Sequence, residues 1–260
     1  MSLIHFTKYQ GTGNDFIIID NSSGQIQNIS LETIKKLCDR RFGIGADGLI
    51  LIEKSITTDF NMNYFNSDGS KSFCGNGSRC AVHFANRLGL ISNETKFEAI
   101  DGVHFASIFD KDISIQMRSV STIENLKNDF VLNTGSPHFV KISEDISSEH
   151  IREFGKSIRY SDDFSKEGIN VNLMNLLGEN IIEIATYERG VEDETLSCGT
   201  GATACAIILN ELTPIEGSRS VNVNVKGGQL TVNYNYNDGN YTHISLSGPA
   251  IPVFNGTIKI

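Results

Sequence analysis

Apolar residues recur at helical spacing in two stretches that begin alike, "CGNGSRCAVHFA" at Cys74 and "CGTGATACAIIL" at Cys198. In each stretch the apolar positions follow i, i+3, i+4 and i+7, the pattern of an amphipathic helix. In the first they are Ala81, Phe84, Ala85 and Leu88, and in the second Ala202, Cys205, Ala206 and Leu209. The pattern predicts two helices, each entered through a Cys-Gly-x-Gly turn, with Gly89 ending the first.

Alternating strand-like runs separated by turn residues follow both helices: "KFEAI", "VHFASIF" and "ISIQM", then "VNVNV", "QLTVNYNY" and "YTHISLS". Similar strands also precede both cysteines at matching distances. They are "GTGNDFIII" and "TGSPHFVKI", "GIGADGLILI" and "EGINVNLMNL", and "FNMNYFNSDG" and "IIEIATYERG". The repeat predicts two similar α+β domains of mostly antiparallel sheet, each with one principal helix and related by a pseudo-twofold axis.

Two further segments have helical spacing and no evident chemistry. "SLETIKKLCDRRFG" predicts a helix capped by Ser30 and stopped at Gly43, with Ile34, Leu37 and Cys38 on one face. "SSEHIREFGKSI" predicts another, with its apolar face at Ile151, Phe154 and Ile158. Both are expected to cover sheets from outside.

Composition narrows the class of protein. The chain has 260 residues, 39% of them hydrophobic, and a formal net charge of −9, which disfavours nucleic-acid partners because that binding rests on clustered Lys and Arg. No signal-peptide-like or membrane-spanning apolar run is evident, so we expect a cytoplasmic protein without membrane partners. The five cysteines are too few for a disulfide scaffold and are expected to be reduced.

A cysteine at a helix start is chemically significant because the first backbone N–H groups of a helix attract anions and stabilise a thiolate. Two such starts related by pseudo-symmetry suggest one shared ligand, with Cys74 and Cys198 on opposite faces of the atom beside a carboxylate. The N–H groups of Gly75, Asn76, Gly199 and Thr200 are the candidate donors to that carboxylate. One thiolate would remove an α-proton and the opposite thiol would supply another.

Other interpretations of the cysteines are weaker. Cys38, Cys80 and Cys205 follow helical periodicity and are expected to pack in the core. No set of four ligands for zinc is apparent, so no metal site is predicted. "CGTGATA" lacks the lysine of a phosphate-binding loop. A binding protein that captures an anionic metabolite with inert thiols remains an alternative.

The stretches "GTGNDF", "FNSDG…CGNGSRC", "YERG…CGTGA" and "SGPA…VF" resemble the diaminopimelate epimerase family along nearly the whole chain. The resemblance implies cofactor-independent interconversion of LL- and meso-2,6-diaminopimelate for lysine and peptidoglycan synthesis. It also implies two pseudo-symmetric domains, each a curved sheet around a central helix: residues 1–118, joined by the returning segment 248–260, and residues 119–247. A proline or hydroxyproline racemase-like enzyme is an alternative within the same chemistry, and a homodimer is left open.

By this resemblance Cys74 and Cys198 are the acid and base, and several polar residues recognise the substrate. The substrate residues are Asn14, Asn66, Gly75, Asn76, Asn170, Glu188, Arg189, Gly199 and Thr200. Arg189 is the natural partner of the distal carboxylate because its planar fork matches a carboxylate bidentately. His138 in "SPHF" is expected close to the catalytic thiols.

Three features depart from the family pattern. Gly48 stands where the family often has Gln, so a side-chain contact there is missing. Ser136 replaces an Asn that would reach the substrate. The segment between Gly69 and Cys74 is one residue shorter than usual.

Overall fold

A computed structural model describes residues 3–110 and 112–259 of the chain. The chain divides into two compact units, Met1–Ile115 with Gly248–Ile260 (unit 1) and Gln116–Ser247 (unit 2). Within the described residues, no helix combines the length and the apolar character that crossing a membrane requires.

The described part of unit 1 is an eight-stranded mixed sheet with two helices. Its elements are β1 (Leu3–Gly11), β2 (Asn14–Asp20), α1 (Leu31–Cys38), β3 (Gly48–Glu53), β4 (Phe60–Asn66), α2 (Gly75–Arg87), β5 (Glu94–Ala99), β6 (Gly102–Phe109), β7 (Asp112–Gln116) and β17 (Ile251–Lys259). The strand order is β17-β1-β2-β3-β4-β5-β6-β7. The β2–β3 and β4–β5 pairs are parallel, and the other pairs are antiparallel.

The central strands of unit 1 are apolar on both faces because a helix covers each face. In "FIIID", Phe16 and Ile18 pack in the core that contains α2, whereas Ile17 and Ile19 pack in the core that contains α1. Strand β3 alternates between the same two cores. A continuous hydrophobic run is what a strand buried on both faces requires.

Unit 2 repeats this arrangement. Its elements are β8 (Ile123–Leu126), β9 (Asp129–Asn133), β10 (Pro137–Ile142), α3 (Ser148–Arg159), β11 (Asn170–Gly178), β12 (Ile181–Glu188), β13 (Asp193–Thr195), α4 (Gly199–Leu212), β14 (Gly217–Val225), β15 (Gly228–Asn237) and β16 (Asn240–Pro249). The order β8-β9-β10-β11-β12-β14-β15-β16 has parallel pairs at β10–β11 and β12–β14, the same positions as in unit 1. The short β13 pairs with β12.

The principal helix of each unit is the one that begins at a Cys-Gly-x-Gly turn. Helix α4 lies in the larger core of unit 2, while α3 covers the opposite face of the sheet through Ile151. Cys80 of α2 and Cys205 of α4 are both fully buried. The α+β fold class with two similar domains, predicted from the repeat, is confirmed, as is the core position of these two cysteines.

Helix α1 ends earlier than the sequence predicts. Ser30 is its N-cap, but the helix stops at Cys38 rather than near Gly43, because Asp39 adopts an extended ψ of 124°. The Asp39 carboxylate accepts the backbone N–H groups of Arg41 and Phe42, both at 2.7 Å. Such a local bond competes with helix continuation, so the prediction of Gly43 as the stop was wrong.

Candidate functional site

Cys74 is the N-cap of α2, with extended φ and ψ of −133° and 111°. Its Sγ accepts the backbone N–H of Gly77 at 3.4 Å. Gly77 lies so close to Phe16 and Ile50 that an added Cβ would come within 3.3 Å of both side chains. The second glycine of the turn therefore lets the helix start sit directly on the sheet, which fixes the position of the sulfur.

Asn14, at the start of β2, lies against this turn. Its Oδ1 is 3.6 Å from Cys74 Sγ and 3.3 Å from Asn76 Nδ2, while its Nδ2 donates to Asp47 Oδ2 at 2.6 Å. Asp47 Oδ2 accepts this bond from the amide nitrogen, so it fixes the orientation of the Asn14 amide and leaves the Asn14 oxygen facing the thiol. We call Asn14, Cys74, Gly75 and Asn76 the Cys74 site.

A charged network holds Asp47 in turn. Arg40 bridges Asp15 at 2.6 Å and Asp47 at 2.8 Å, and Lys8 contacts Asp15 at 2.7 Å. Burial favours a raised pKa for Asp15, but the hydrogen bonds and charges of Arg40 and Lys8 outweigh it and hold the pKa well below its usual range. Asp15 therefore stays ionised at neutral pH and keeps Arg40 against Asp47.

Tyr64 explains why position 48 holds glycine. A Cβ on Gly48 would lie 2.4 Å from the Tyr64 ring and 2.6 Å from the Phe65 carbonyl oxygen. The Tyr64 hydroxyl donates to Asn66 Oδ1 at 2.9 Å, and Asn66 Nδ2 reaches Ser70 Oγ at 3.0 Å. The tyrosine thus fills the space of a side chain at position 48, and Asn66 ties down the short loop that leads to Cys74.

We predict that Gly48→Gln lowers the free energy of unfolding by about 1–3 kcal/mol, because the new side chain overpacks against the Tyr64 ring. Tyr64→Ala alone should also be destabilising, because it leaves a cavity. The double variant should lose less free energy of unfolding than the sum of the two single losses, because the new glutamine side chain can enter the space that Tyr64 leaves. Part of the loss should remain, because the new Cβ still lies close to the Phe65 carbonyl oxygen. Urea denaturation of the four proteins measures this coupling, and strictly additive losses would contradict the packing argument.

Cys198 is the N-cap of α4, with φ −122° and ψ 110°, almost the values of Cys74. It is more buried, and its Sγ lies 3.5 Å from Thr200 Oγ1. The carbonyl of Thr200 accepts the Thr134 hydroxyl at 2.8 Å. A Cβ on Gly201 would come within 2.5 Å of Asn172 Oδ1. We call Cys198, Gly199 and Thr200 the Cys198 site.

Asn170, Ser136 and Arg189 form one group in unit 2. Asn170 Nδ2 donates to Ser136 Oγ at 2.8 Å, and Asn170 Oδ1 accepts the backbone N–H of Arg189 at 2.9 Å. The exposed Arg189 side chain reaches Ser136 Oγ at 3.4 Å and the Glu167 carbonyl at 3.0 Å. Ser136 therefore supports the two predicted recognition residues. Glu188 precedes Arg189 at the end of β12.

His138 is completely buried on β10, next to Asn172. The Asn172 carbonyl oxygen accepts the Thr186 hydroxyl, so its amide nitrogen donates to His138 Nδ1 at 3.1 Å and leaves the proton on Nε2. Burial, assisted by the charge of Arg189, lowers the pKa of His138 to about 3. His138 is thus a neutral imidazole at physiological pH, with an N–H donor available at Nε2.

The other three cysteines have thiols that burial keeps protonated. It raises the pKa of Cys38 to about 11 and of Cys80 to about 12, and it raises the pKa of Cys205 as well. Within the described chain, none of the five cysteines forms a disulfide bond. These three therefore serve packing, as their helical periodicity predicts.

Sequence reasoning missed Asp47, Tyr64 and Asn172. Asp47 and Tyr64 stand beside or within motifs already singled out, "GADG" and "FNMNYFNSDG". Neither motif reveals that the Asp47 carboxylate orients Asn14 or that the Tyr64 phenol fills the place beside Gly48, because both relations join residues that are distant in the sequence.

This chain is similar to known proteins over nearly its whole length. The family model described as diaminopimelate epimerase matches residues 6–123 and 130–252. A diaminopimelate epimerase of Flavobacterium psychrophilum is 51% identical over 253 residues, covering 96% of this chain and 98% of that protein. One from Aquifex aeolicus is 38% identical, with 98% of each chain covered.

Solved structures with low sequence identity share the fold. A Bacillus anthracis phenazine biosynthesis protein of the PhzF family is 12% identical, with a TM-score of 0.75 and complete coverage of both chains. A hydroxyproline epimerase from Agrobacterium vitis is also 12% identical, with a TM-score of 0.67 over 98% of this chain and 92% of that one. Both likenesses concern the fold alone. The family-model match and the full-length relatives show that this chain belongs to the diaminopimelate epimerase family.

Proposed function

We propose that the protein interconverts LL- and meso-2,6-diaminopimelate without a cofactor, with Cys74 and Cys198 as the acid–base pair. The observation that carries this proposal is the same N-cap geometry at two cysteines, each at the start of the principal helix of its unit. Membership of the family supplies the substrate. The product would serve lysine and peptidoglycan precursor synthesis.

The first requirement of the reaction is to hold the carboxylate beside the reacting carbon. Helix N-termini carry a partial positive charge and outward-facing N–H groups. Gly75 and Asn76 begin α2, and Gly199 and Thr200 begin α4. In our proposal their N–H groups bind this carboxylate and stabilise the negative charge that spreads onto it when the α-proton leaves.

The second requirement is a proton carrier on each face of the α-carbon. A thiolate at one cysteine takes the α-proton and becomes a thiol. The thiol at the other cysteine gives its proton to the opposite face and becomes the thiolate. The carbon is inverted, no net proton is gained or lost, and the two cysteines exchange roles with the direction of reaction.

The third requirement is recognition of the distal end of the substrate. The exposed Arg189 guanidinium is the proposed partner of the distal carboxylate, with Ser136 and Asn170 fixing its side chain and backbone. Glu188 supplies the negative charge for an ammonium group, and Asn14 and Asn66 contribute amide contacts. A substrate without a distal charge, such as proline, would gain nothing from Arg189.

The mechanism needs both cysteines as reduced thiols. We therefore also propose that the protein works in the cytoplasm, where thiols remain reduced.

Incubation of the protein with LL-diaminopimelate in deuterated water tests the proposal. We expect meso-diaminopimelate to form with deuterium at the inverted α-carbon, which chiral chromatography and mass spectrometry detect. Proline and trans-4-hydroxyproline serve as control substrates and should show no exchange. Binding of diaminopimelate without exchange would instead support an inert binding protein, and exchange on proline alone would support a racemase of that class.

A further inference from the structure

Arg79 is a charged residue in the fully buried interior of α2, one turn and a half after Cys74. Its side chain has a relative exposure of 0% and is among the largest fully buried side chains of the described chain. Burial of a guanidinium is unfavourable unless its N–H groups are hydrogen-bonded and its charge interacts favourably with another group. The contacts of Arg79 therefore indicate which group its positive charge stabilises.

The hydrogen bonds of Arg79 converge on the Cys74 site. Its Nη2 donates to Asn76 Oδ1 at 2.9 Å and to Thr12 Oγ1 at 3.2 Å, and its Nε donates to the Pro249 carbonyl at 3.5 Å. All three acceptors are uncharged oxygen atoms. Its Nη1 has no hydrogen-bond partner among the described residues.

These bonds join Arg79 to the thiol through two side chains. Arg79 fixes the carbonyl oxygen of Asn76, so the Asn76 amide nitrogen faces Asn14 Oδ1 at 3.3 Å. The same Asn14 oxygen lies 3.6 Å from Cys74 Sγ and can accept the S–H of the thiol form, a weak bond at this distance. The backbone N–H of Gly77, which Cys74 Sγ accepts at 3.4 Å, favours the thiolate instead. The sequence Arg79, Asn76, Asn14, Cys74 is thus a continuous polar path.

Arg79 also anchors the turn that presents Asn14. Thr12 is fully buried and has a positive φ of 51°, a conformation that non-glycine residues seldom adopt. A Cβ on Gly11 would lie 3.3 Å from the Asn76 carbonyl and 3.4 Å from Arg79 Nη2. The β1–β2 turn therefore packs directly on the guanidinium.

The charge of Arg79 acts at short range in a medium that screens it poorly. Burial lowers the pKa of Arg79, and interactions with Cys80, Cys74 and Asp112 oppose that shift. An arginine nevertheless stays protonated in proteins. Cys80 is kept neutral by its raised pKa, and Asp112 on β7 is exposed to solvent. The thiol of Cys74 is then the group for which the buried positive charge matters most.

The second copy of the motif lacks this charge. When "CGNGSR" is aligned with "CGTGAT", Thr203 occupies the position of Arg79. Thr203 is fully buried, and its hydroxyl donates to the Gly199 carbonyl at 3.0 Å. The cation of unit 2 that the mechanism uses, Arg189, is exposed to solvent and is assigned to the distal carboxylate.

We propose that Arg79 is a positioning residue that makes the two thiols unequal: in the ligand-free protein Cys74 carries the thiolate and Cys198 carries the thiol. The proposal rests on the proposed function for the roles of the two thiols. As a consequence, the ligand-free protein can at once remove the α-proton of the stereoisomer whose α-hydrogen faces Cys74. Before it accepts the other isomer, Cys198 must lose its proton and Cys74 must gain one.

Alkylation of the wild-type protein with iodoacetamide over a series of pH values provides the first test. Mass spectrometry measures modification at Cys74 and Cys198 separately in the same sample, without any need for epimerase activity. We expect the midpoint of the Cys74 profile to lie at least about one pH unit below that of Cys198. Equal midpoints, or a lower one at Cys198, would overturn the proposal even if the enzyme epimerises diaminopimelate.

Variants of Arg79 provide the second test. Arg79→Met removes the charge and should raise the Cys74 midpoint by about one pH unit, with the Cys198 midpoint unchanged. Arg79→Lys retains the charge and should keep the Cys74 midpoint, but it loses the fork that fixes Asn76 and Thr12, so KM should rise. Thr203→Val is the matched control in α4 and should leave the Cys74 midpoint in place.

Equal shifts of both midpoints in Arg79→Met, or no shift at either cysteine, would contradict the proposal. If Arg79→Met does not fold, the wild-type comparison and Arg79→Lys still decide the question. A Cys74 midpoint that rises in Arg79→Lys as far as that of Cys198 would then overturn it.

Discussion

Cys198→Ala is expected to lower kcat/KM for epimerisation by about 10³-fold or more, because one face of the α-carbon loses its proton carrier. Cys74→Ala should cause a similar loss. Each variant nevertheless retains one thiol, which can remove and return a proton on its own face. Each should therefore still exchange the α-hydrogen of one stereoisomer with deuterated water, without inverting it, and the two variants should select opposite isomers.

Proton NMR of the α-hydrogen, combined with chiral chromatography, separates exchange from inversion. Cys38→Ala is the matched control, because Cys38 is a buried cysteine on α1 that packs away from the Cys74 site in the other core of unit 1. It should keep nearly full activity. Inversion at an undiminished rate in either single variant would exclude the two-thiol mechanism.

Arg219→Ala is expected to lower the free energy of unfolding by about 3–5 kcal/mol, because it removes a buried cation and leaves its acceptors without partners. Arg219 on β14 is 5% exposed. Its guanidinium donates to the Thr213 carbonyl and Asn210 Oδ1, both at 2.9 Å, and to the Glu179 carbonyl at 2.7 Å.

These bonds secure the C-terminal end of α4, the helix that begins after Cys198. Thr213 is the C-cap of α4, and the last turn of the helix contains no basic residue. Arg219 therefore supplies from the sheet the positive charge that favours a helix C-terminus.

Chemical denaturation followed by circular dichroism measures the effect of Arg219→Ala. The control is Arg152→Ala, which removes an arginine that is exposed and paired with the exposed Asp193. Exposed pairs contribute little, so the denaturation midpoint of this control should stay near that of the wild type. Equal midpoints for the two variants would refute the anchoring role of Arg219.

The fold was largely predictable from the sequence because the chain contains it twice. The spacing of the apolar positions located α2 and α4, and the matching strands around them predicted two similar domains. The end of α1 was missed, because a single carboxylate, that of Asp39, competes for the backbone N–H groups that follow.

The residues of the candidate site could be named from motifs, but their partners could not. Asn14 and Cys74 lie within recognisable motifs. The carboxylate of Asp47, which orients Asn14, lies 33 residues further along the chain, just before the parallel strand β3. Arg79 belongs to the first motif itself, yet its full burial is visible only in three dimensions. The apolar pattern of α2 does not include position 79, so it does not predict that this arginine is buried.

The pairing of β17 with β1 has a consequence for biosynthesis. Unit 2 is one continuous stretch of chain, so all of its strands are available once β16, which ends at Pro249, has been made. Unit 1 is discontinuous, and β17 supplies the outer neighbour of β1. A nascent chain therefore has an open sheet edge at β1 until the segment that contains β17 leaves the ribosome, and such an edge can pair wrongly with other strands. Unit 1, whose first segment precedes unit 2 in the chain, is thus completed only after unit 2.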